Sequence, residues 1–100
     1  SWMGRKRYKW FIEILEEYGS QLREPYSKSL GEGIFELRGK IGTDITRVLY
    51  FFYYEGKIIL TNGFVKKTQT TPKSEIKLAK KYRKNFLERN ENKWVNLENF

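Results

Sequence analysis

Residues 45–64, "ITRVLYFFYYEGKIILTNGF", carry the clearest structural signal in this 100-residue chain. Two apolar runs rich in β-branched and aromatic residues flank the dipeptide Glu55-Gly56, which is typical of a short hairpin loop. This pattern predicts two antiparallel strands, 45–54 and 57–64, joined by a two-residue turn.

The turn determines which residues of the hairpin share a face of the sheet. With a two-residue loop, counting back from the turn sets Arg47 opposite Phe64. A third apolar run, "GIFELRG" at 33–39, predicts a preceding strand whose connection brings Arg38 near Ile45. In this register, one face of the sheet carries the polar side chains Glu36, Arg38, Arg47, Asn62 and Lys66.

A helix is predicted on each side of the strands. Residues 5–18 place apolar side chains at i, i+3, i+4 and i+7 and precede Gly19, a common residue after a helix end. A second helix is predicted to start with Thr71 as its N-cap and Pro72 as its first residue. The order of helix, three antiparallel strands and helix indicates an α+β fold with a sheet of three or more strands, in a single domain over residues 1–100.

Composition limits the chemistry that this chain can perform. Twenty Lys and Arg against twelve Asp and Glu give a formal charge of +8, which favours a polyanionic partner, although basic residues also serve solubility alone. Histidine and cysteine are both absent, which removes the commonest general base and nearly all zinc chemistry. We therefore expect no metal, no small-molecule cofactor and catalysis, if any, by Lys, Arg, Tyr, Glu or Asp. Without a signal peptide, a bilayer-spanning run or cysteine, the sequence predicts a soluble cytoplasmic protein with no membrane contact.

A cationic site is predicted where the strands meet the second helix. Lys66 and Lys67 end the last strand there, Arg47 shares a face with Lys66, and Glu36 falls beside Arg47 in the predicted register. Cationic groups next to the free N–H groups of a helix start form a phosphate-binding concavity. The alternatives are a cross-strand ion pair between Arg47 and Glu36 and a solvated strand exit at the two lysines. The convergence of several cations favours phosphate binding.

The second helix adds further candidates to this site. Tyr82 lies among its lysines, and its hydroxyl could reach the cationic site or its ring could stack on a base, although packing against the sheet is the simpler interpretation. Three lysines of this helix are predicted to contact RNA: Lys73, Lys77 and Lys80.

Ordered motifs over about half of the chain resemble the RelE/ParE toxin superfamily, and within it a phage-derived, HigB-like branch. The branch has a strand "K-x-L-G-x-G-aliphatic/aromatic-E-L-R", a strand "R-aliphatic-aliphatic-Y", and then "GF-x-KK-T-x-x-TP" followed by "E-I-x-x-A". Here the four motifs stand at 28–38, 47–50, 63–72 and 75–79.

The resemblance implies a compact RelE-like toxin of a type II toxin–antitoxin operon. Such a toxin cleaves mRNA on the translating ribosome and is neutralised by a helix-turn-helix, HigA-like antitoxin. The side chains present fit a metal-independent attack by a ribose 2′-hydroxyl on its own 3′-phosphate. The predicted catalytic residues are Arg47, Lys66, Lys67, Glu36 and Tyr82, and the predicted RNA-binding residues are Arg38, Lys73, Lys77 and Lys80.

Two departures from the family pattern bear on this interpretation. Members of the family usually begin with a β-strand, whereas this chain starts almost at helix 5–18, which indicates either truncation or a sheet completed in another way. The catalytic lysines that RelE carries on its second strand are replaced by Ile34 and Glu36, and its C-terminal tyrosine has no secure counterpart. The alternatives are a ParE-like toxin acting on DNA gyrase and a basic module that binds RNA or the ribosome; the KK-T-x-x-TP motif favours the nuclease.

Overall fold

One antiparallel sheet lies between two helices. The computed structural model describes residues 6–98, with side chains described for 6–90. The sheet has four strands in the order β1-β2-β3-β4. The elements are α1 (Lys9–Tyr18), β1 (Ser27–Gly31), β2 (Ile34–Ile41), β3 (Asp44–Phe52), β4 (Ile58–Val65) and α2 (Lys73–Glu98). The predicted α+β class, with a helix on each side of the sheet in sequence, is confirmed.

The two faces of the sheet form separate apolar cores, because alternate residues of a strand point to opposite sides. On the α1 side, Phe11 and Leu15 of the helix pack against Leu37, Val48 and Tyr50. The core on the α2 side consists of Ile34, Leu49, Phe51 and Ala79. The polar side chains of the candidate site share this second face, at the end where α2 begins.

Glycines in two strands allow α1 to lie close to the sheet. A Cβ atom at Gly39 would stand 2.5 Å from the Trp10 ring and 2.7 Å from the Phe11 ring. A Cβ atom at Gly63 would stand 2.7 Å from the Tyr8 hydroxyl oxygen. Since these distances are too short for real contacts, the aromatic rings of α1 and of Tyr8, just before it, occupy space that only glycine leaves open.

The β3–β4 hairpin differs from the prediction in its loop and agrees with it at the site. The predicted two-residue loop is wrong, since the three residues Tyr54–Gly56 form a tight turn in which Glu55 has a φ of 62°. Further along β4, Thr61 forms a bulge and has no partner in β3. The longer loop shifts the register by one residue and the bulge restores it, so that Arg47 lies opposite Phe64 as predicted.

The β2–β3 register also differs from the prediction. Arg38 was expected near Ile45 but pairs with Arg47, because the two strands extend to within two residues of each other. The difference amounts to two positions, and a shift of two leaves every side chain on its predicted face. Glu36 therefore still shares a face with Arg47.

Strand β1 was not predicted. Its sequence, "SKSLG", is short and mostly polar because it forms an edge of the sheet with little burial. Its first residue is the exception: the Ser27 and Tyr50 hydroxyl groups share a buried hydrogen bond of 2.8 Å.

The first helix ends at Tyr18 as predicted, and the second is longer than the sequence pattern indicated. Residues 6 and 7 are also helical, a turn at Tyr8 separates them from α1 (Lys9–Tyr18), and the predicted start at residue 5 lies outside the described residues. The helix α2 continues to Glu98, through a tail at 90–100 that the sequence pattern left unassigned. Over residues 6–98, neither helix is both long enough and apolar enough to cross a membrane.

Candidate functional site

Glu36 stands at the centre of the polar cluster on the α2 face. It is the third residue of β2 and is only 2% exposed. Its Oε1 atom is 3.1 Å from Nε of Arg47 and 3.6 Å from Nε of Arg38. Its Oε2 atom accepts a hydrogen bond from the Thr71 hydroxyl group, just before α2. One buried carboxylate thus connects two strands to the start of the second helix.

Arg38 and Arg47 lie directly opposite each other on β2 and β3. Two like charges in this position repel, and the Glu36 carboxylate offsets part of that repulsion. Burial lowers the pKa of Arg47, Glu36 acts in the opposite direction, and the nearby Arg38 lowers the pKa further. Arginine stays protonated even so, and the positive charge is retained.

The two arginines differ in accessibility. Arg47 is 5% exposed, and its Nη1 atom donates a long hydrogen bond of 3.4 Å to its neighbour's carbonyl, the Thr46 oxygen. The Arg38 side chain is 38% exposed. Sequence reasoning named Arg47 as catalytic and Arg38 as RNA-binding, but Arg38 is the guanidinium that a solute can reach more easily.

Lys66 adds a third cation to the cluster. Its backbone N–H donates to the Ile45 carbonyl over 2.8 Å, which continues the β3–β4 pairing and keeps its side chain on the Arg47 face. Its pKa lies below the usual value, first because of desolvation and then because of the positive charges of Arg47 and Arg38. Lys67, the next residue, is exposed.

Lys28 is a residue of the site that sequence reasoning missed. It lies on β1 directly opposite Glu36, and its charge contributes to lowering the pKa of Lys66. Its strand was not predicted, so nothing placed it on this face. The available signal was its position as the first residue of the "K-x-L-G-x-G" motif.

Two polar contacts connect the start of α2 to the sheet. Beside the bond from Thr71 to Glu36, the Asn62 amide nitrogen donates to the Glu75 carbonyl at 3.2 Å and to its carboxylate at 3.0 Å. The prediction of Thr71 as the N-cap is wrong by one residue. The Pro72 carbonyl accepts the first helical hydrogen bonds, and the Thr71 hydroxyl donates to the site instead.

The other predicted site residues lie on α2. Tyr82 is 43% exposed and lines an open groove of about 630 Å³, together with Phe51 and Ile59. The Lys80 ammonium nitrogen is 2.9 Å from a carboxylate oxygen of Glu32, in the turn between β1 and β2. The remaining two lysines, Lys73 and Lys77, are exposed on α2, on its first two turns.

The comparison with protein families places this chain in a known group. The family model described as "Phage derived protein Gp49-like (DUF891)" matches residues 4–84. The chain belongs to this family. The Gp49-like match supports the resemblance to RelE-type toxins at the family level, and it spans every residue of the cluster. No curated protein matches the chain.

The cluster of this Gp49-like protein carries more positive than negative charge. Arg38, Arg47 and Lys66 surround the single carboxylate of Glu36, which leaves two positive charges without an opposite charge among these four groups. A phosphate group supplies the missing negative charge and accepts charge-assisted hydrogen bonds from guanidinium and ammonium groups. The arrangement is therefore suited to holding a phosphodiester and stabilising additional negative charge on it.

Proposed function

We propose that this protein is a HigB-like toxin of a type II toxin–antitoxin system that cuts mRNA on the translating ribosome. Family membership supports a toxin-like protein. The observation that carries the proposal further is the excess of positive charge at Arg38, Arg47 and Lys66, on one face beside the start of α2. Folding alone does not call for two arginines directly opposite each other.

The proposed reaction is a transfer within the RNA chain. The ribose 2′-oxygen loses its proton and attacks the adjacent 3′-phosphorus, and the bond from phosphorus to the 5′-oxygen of the next nucleotide breaks. The leaving 5′-oxygen takes up a proton, so the products are a 2′,3′-cyclic phosphate and a 5′-hydroxyl. The partly exposed Arg38 and Lys66 contact the phosphate, and Arg47 beneath them adds its charge to stabilise the transition state.

The ribosome supplies what the chain lacks. Efficient acid–base catalysis at neutral pH needs groups with a pKa near 7, and the chain contains no histidine. Alignment of the RNA in the decoding site makes up for weak proton transfer, because positioning alone contributes about 7 to 11 kcal/mol to lowering a barrier. We therefore expect cleavage at sites fixed relative to the codon in the A site and little cleavage of free RNA.

The deciding experiment is primer extension on a message translated in a purified system. The wild-type protein is expected to leave ends at fixed codon positions, and Lys66→Gln is expected to reduce cleavage by about 100-fold or more. Lys57→Gln is the matched control, since it removes the same charge from an exposed position in the β3–β4 turn, at the other end of the sheet. Cleavage by Lys66→Gln equal to that by the control would refute the phosphate role of the cluster.

The same assay separates the other candidate functions. Intact messages together with inhibited DNA supercoiling by gyrase would establish the ParE-like alternative. Intact messages with ribosome binding alone would establish a non-catalytic module. Equal cutting of translated and ribosome-free RNA would show that the protein has an acid–base pair of its own.

Neutralisation by a helix-turn-helix antitoxin completes the proposal. A surface with a net charge of +8 favours a partner whose contact surface is acidic or mixed in charge. Coexpression with the product of an adjacent gene is expected to restore growth and to yield a complex that survives gel filtration. A harmless protein that forms no such complex would contradict this part.

A further inference from the structure

We propose that Glu36 is a positioning residue that holds Arg38 in place for the RNA phosphate, rather than the base that removes the 2′-proton. The inference rests on the proposed endoribonuclease function and assigns the roles within its site. Glu36 is one of the catalytic candidates from the sequence, and the present proposal assigns it a positioning role instead.

Burial separates Glu36 from any substrate. Its side chain is 3% exposed, whereas a general base must come within hydrogen-bonding distance of the proton that it removes. Arg47 is also buried and lies against the same carboxylate oxygen. The exposed member of the group is Arg38, which is 3.6 Å from that oxygen through its Nε atom. Glu36 therefore acts on a phosphate through the two arginines, and Arg38 is the one of them that a phosphate can contact.

The contact through Nε has a geometric consequence. A guanidinium group has five N–H donors in a fixed plane, and one of them is on Nε. The Nε atom of Arg38 is buried and donates no hydrogen bond, so Glu36 acts on this guanidinium by charge across 3.6 Å. With the Nε edge toward the carboxylate, the terminal Nη groups are left to a ligand. Without Glu36, the charge of Arg47 directly across the sheet would repel Arg38 from this position.

Thr71 fixes the carboxylate from the other side. Its hydroxyl group donates to Oε2 of Glu36, while Oε1 faces the arginines. The carboxylate orientation is thus set by a residue that lies just before α2. A loss of this hydroxyl group is expected to weaken the positioning of Arg38 while leaving every charge of the site unchanged.

The first test is the pH dependence of ribosome-dependent cleavage by the wild type and by Glu36→Gln. If Glu36 is a positioning residue, its replacement is expected to lower the cleavage rate about 10- to 100-fold, because a small misplacement of a catalytic group has an effect of this size. The shape of the pH profile is expected to stay unchanged. Loss of the acidic limb of the profile in Glu36→Gln would overturn the inference, since that result identifies the base. A variant as active as the wild type would also overturn it.

The second test is a double-mutant comparison. If Glu36 acts through Arg38, the change Glu36→Gln causes no further loss of cleavage in a protein that already carries Arg38→Gln. Effects of the two changes that multiply would show independent roles and refute the assignment. Because Arg38 is partly exposed, the Arg38→Gln protein is expected to fold, and circular dichroism tests this.

A milder variant keeps the inference testable if Glu36→Gln does not fold. Thr71→Val removes only the hydroxyl group and is expected to reduce cleavage, whereas Thr70→Val, at the exposed neighbouring position, is expected to leave the rate unchanged. Equal rates for these two variants would contradict the role of Thr71. Absence of cleavage by the wild type would refute the proposed function itself, so the two failures are distinguishable.

Discussion

Replacing Arg47 by methionine tests whether the buried pair with Glu36 supports the fold as well as the site. The change removes the cation 3.1 Å from the Glu36 carboxylate and keeps a side chain of similar length. Glu36 would remain almost completely buried, with Arg38 at 3.6 Å and the Thr71 hydroxyl as its remaining contacts.

The expected cost follows from this burial. Removing one partner of a buried ion pair typically destabilises a protein by about 3 to 5 kcal/mol, because the other charge stays buried without full compensation. Arg38 retains part of the compensation, so we expect about 3 kcal/mol for Arg47→Met. Replacing both partners by apolar groups of similar volume is often neutral, so the double variant Arg47→Met, Glu36→Met is expected to recover most of this loss.

The assay is urea unfolding followed by circular dichroism, with the free energy of unfolding compared at equal slopes. A loss below about 1 kcal/mol in Arg47→Met, as at an exposed ion pair, would refute the reasoning from burial. So would a double variant that loses the sum of the two single effects. If the prediction holds, loss of toxicity in an Arg47 variant cannot by itself identify a phosphate contact, and Lys66→Gln is the cleaner test.

Three further predictions concern packing and protonation. Gly39→Ala should lose about 1 to 3 kcal/mol of stability through overpacking. The fluorescence of Trp10 should also change, because its ring lies 2.5 Å from the new Cβ position. An unchanged midpoint of unfolding would contradict the close approach of α1. Ser27→Ala should cost about 1 to 3 kcal/mol, since it leaves the buried Tyr50 hydroxyl without its partner, and the same change in a Tyr50→Phe protein should cost less. The pKa of Lys66 measured by NMR should lie below the ordinary value of 10.5, and a value at or above 10.5 would refute this. Between the folded and unfolded pKa values of Lys66, the unfolded chain binds more protons, so the contribution of Lys66 to stability rises with pH across that window.

The faces of the sheet could be predicted from the sequence, and the registers only in part. Successive side chains of a strand point to opposite faces of the sheet. An error in the predicted register therefore moves a residue to the wrong face only when it amounts to an odd number of positions. For β2–β3 the error was two residues, and Glu36 stayed on the correct face. For β3–β4 the loop was one residue longer than predicted, and the bulge at Thr61 cancelled the error before it reached Arg47. Nothing in the local pattern of β4 signals this bulge, so the agreement there was partly fortuitous.

The edge strand and the roles of the charged residues could not be predicted in the same way. An edge strand buries little, so the sequence of β1 has neither the apolar alternation nor the β-branched residues that mark the central strands. The sequence pattern also placed Arg38 and Arg47 on one face without showing which of them is covered. That difference arises from tertiary packing, and the contacts that join α2 to this face are likewise distant in sequence, from Asn62 to Glu75 and from Thr71 to Glu36.

The start of α2 belongs to the proposed site, because the residue two positions before the helix contacts Glu36. The helix starts beside Glu36 because the Thr71 hydroxyl donates to that carboxylate, and this contact occupies the side of the carboxylate away from the arginines. With Glu36 covered, its charge serves to hold two arginines that would otherwise repel each other across the sheet. In the proposed mechanism, the more exposed of them, Arg38, and Lys66 at the end of β4 contact the phosphate. A change that displaces the start of α2 is thus expected to impair the site without altering any cation in it, which distinguishes a site built by the fold from a surface that is merely basic.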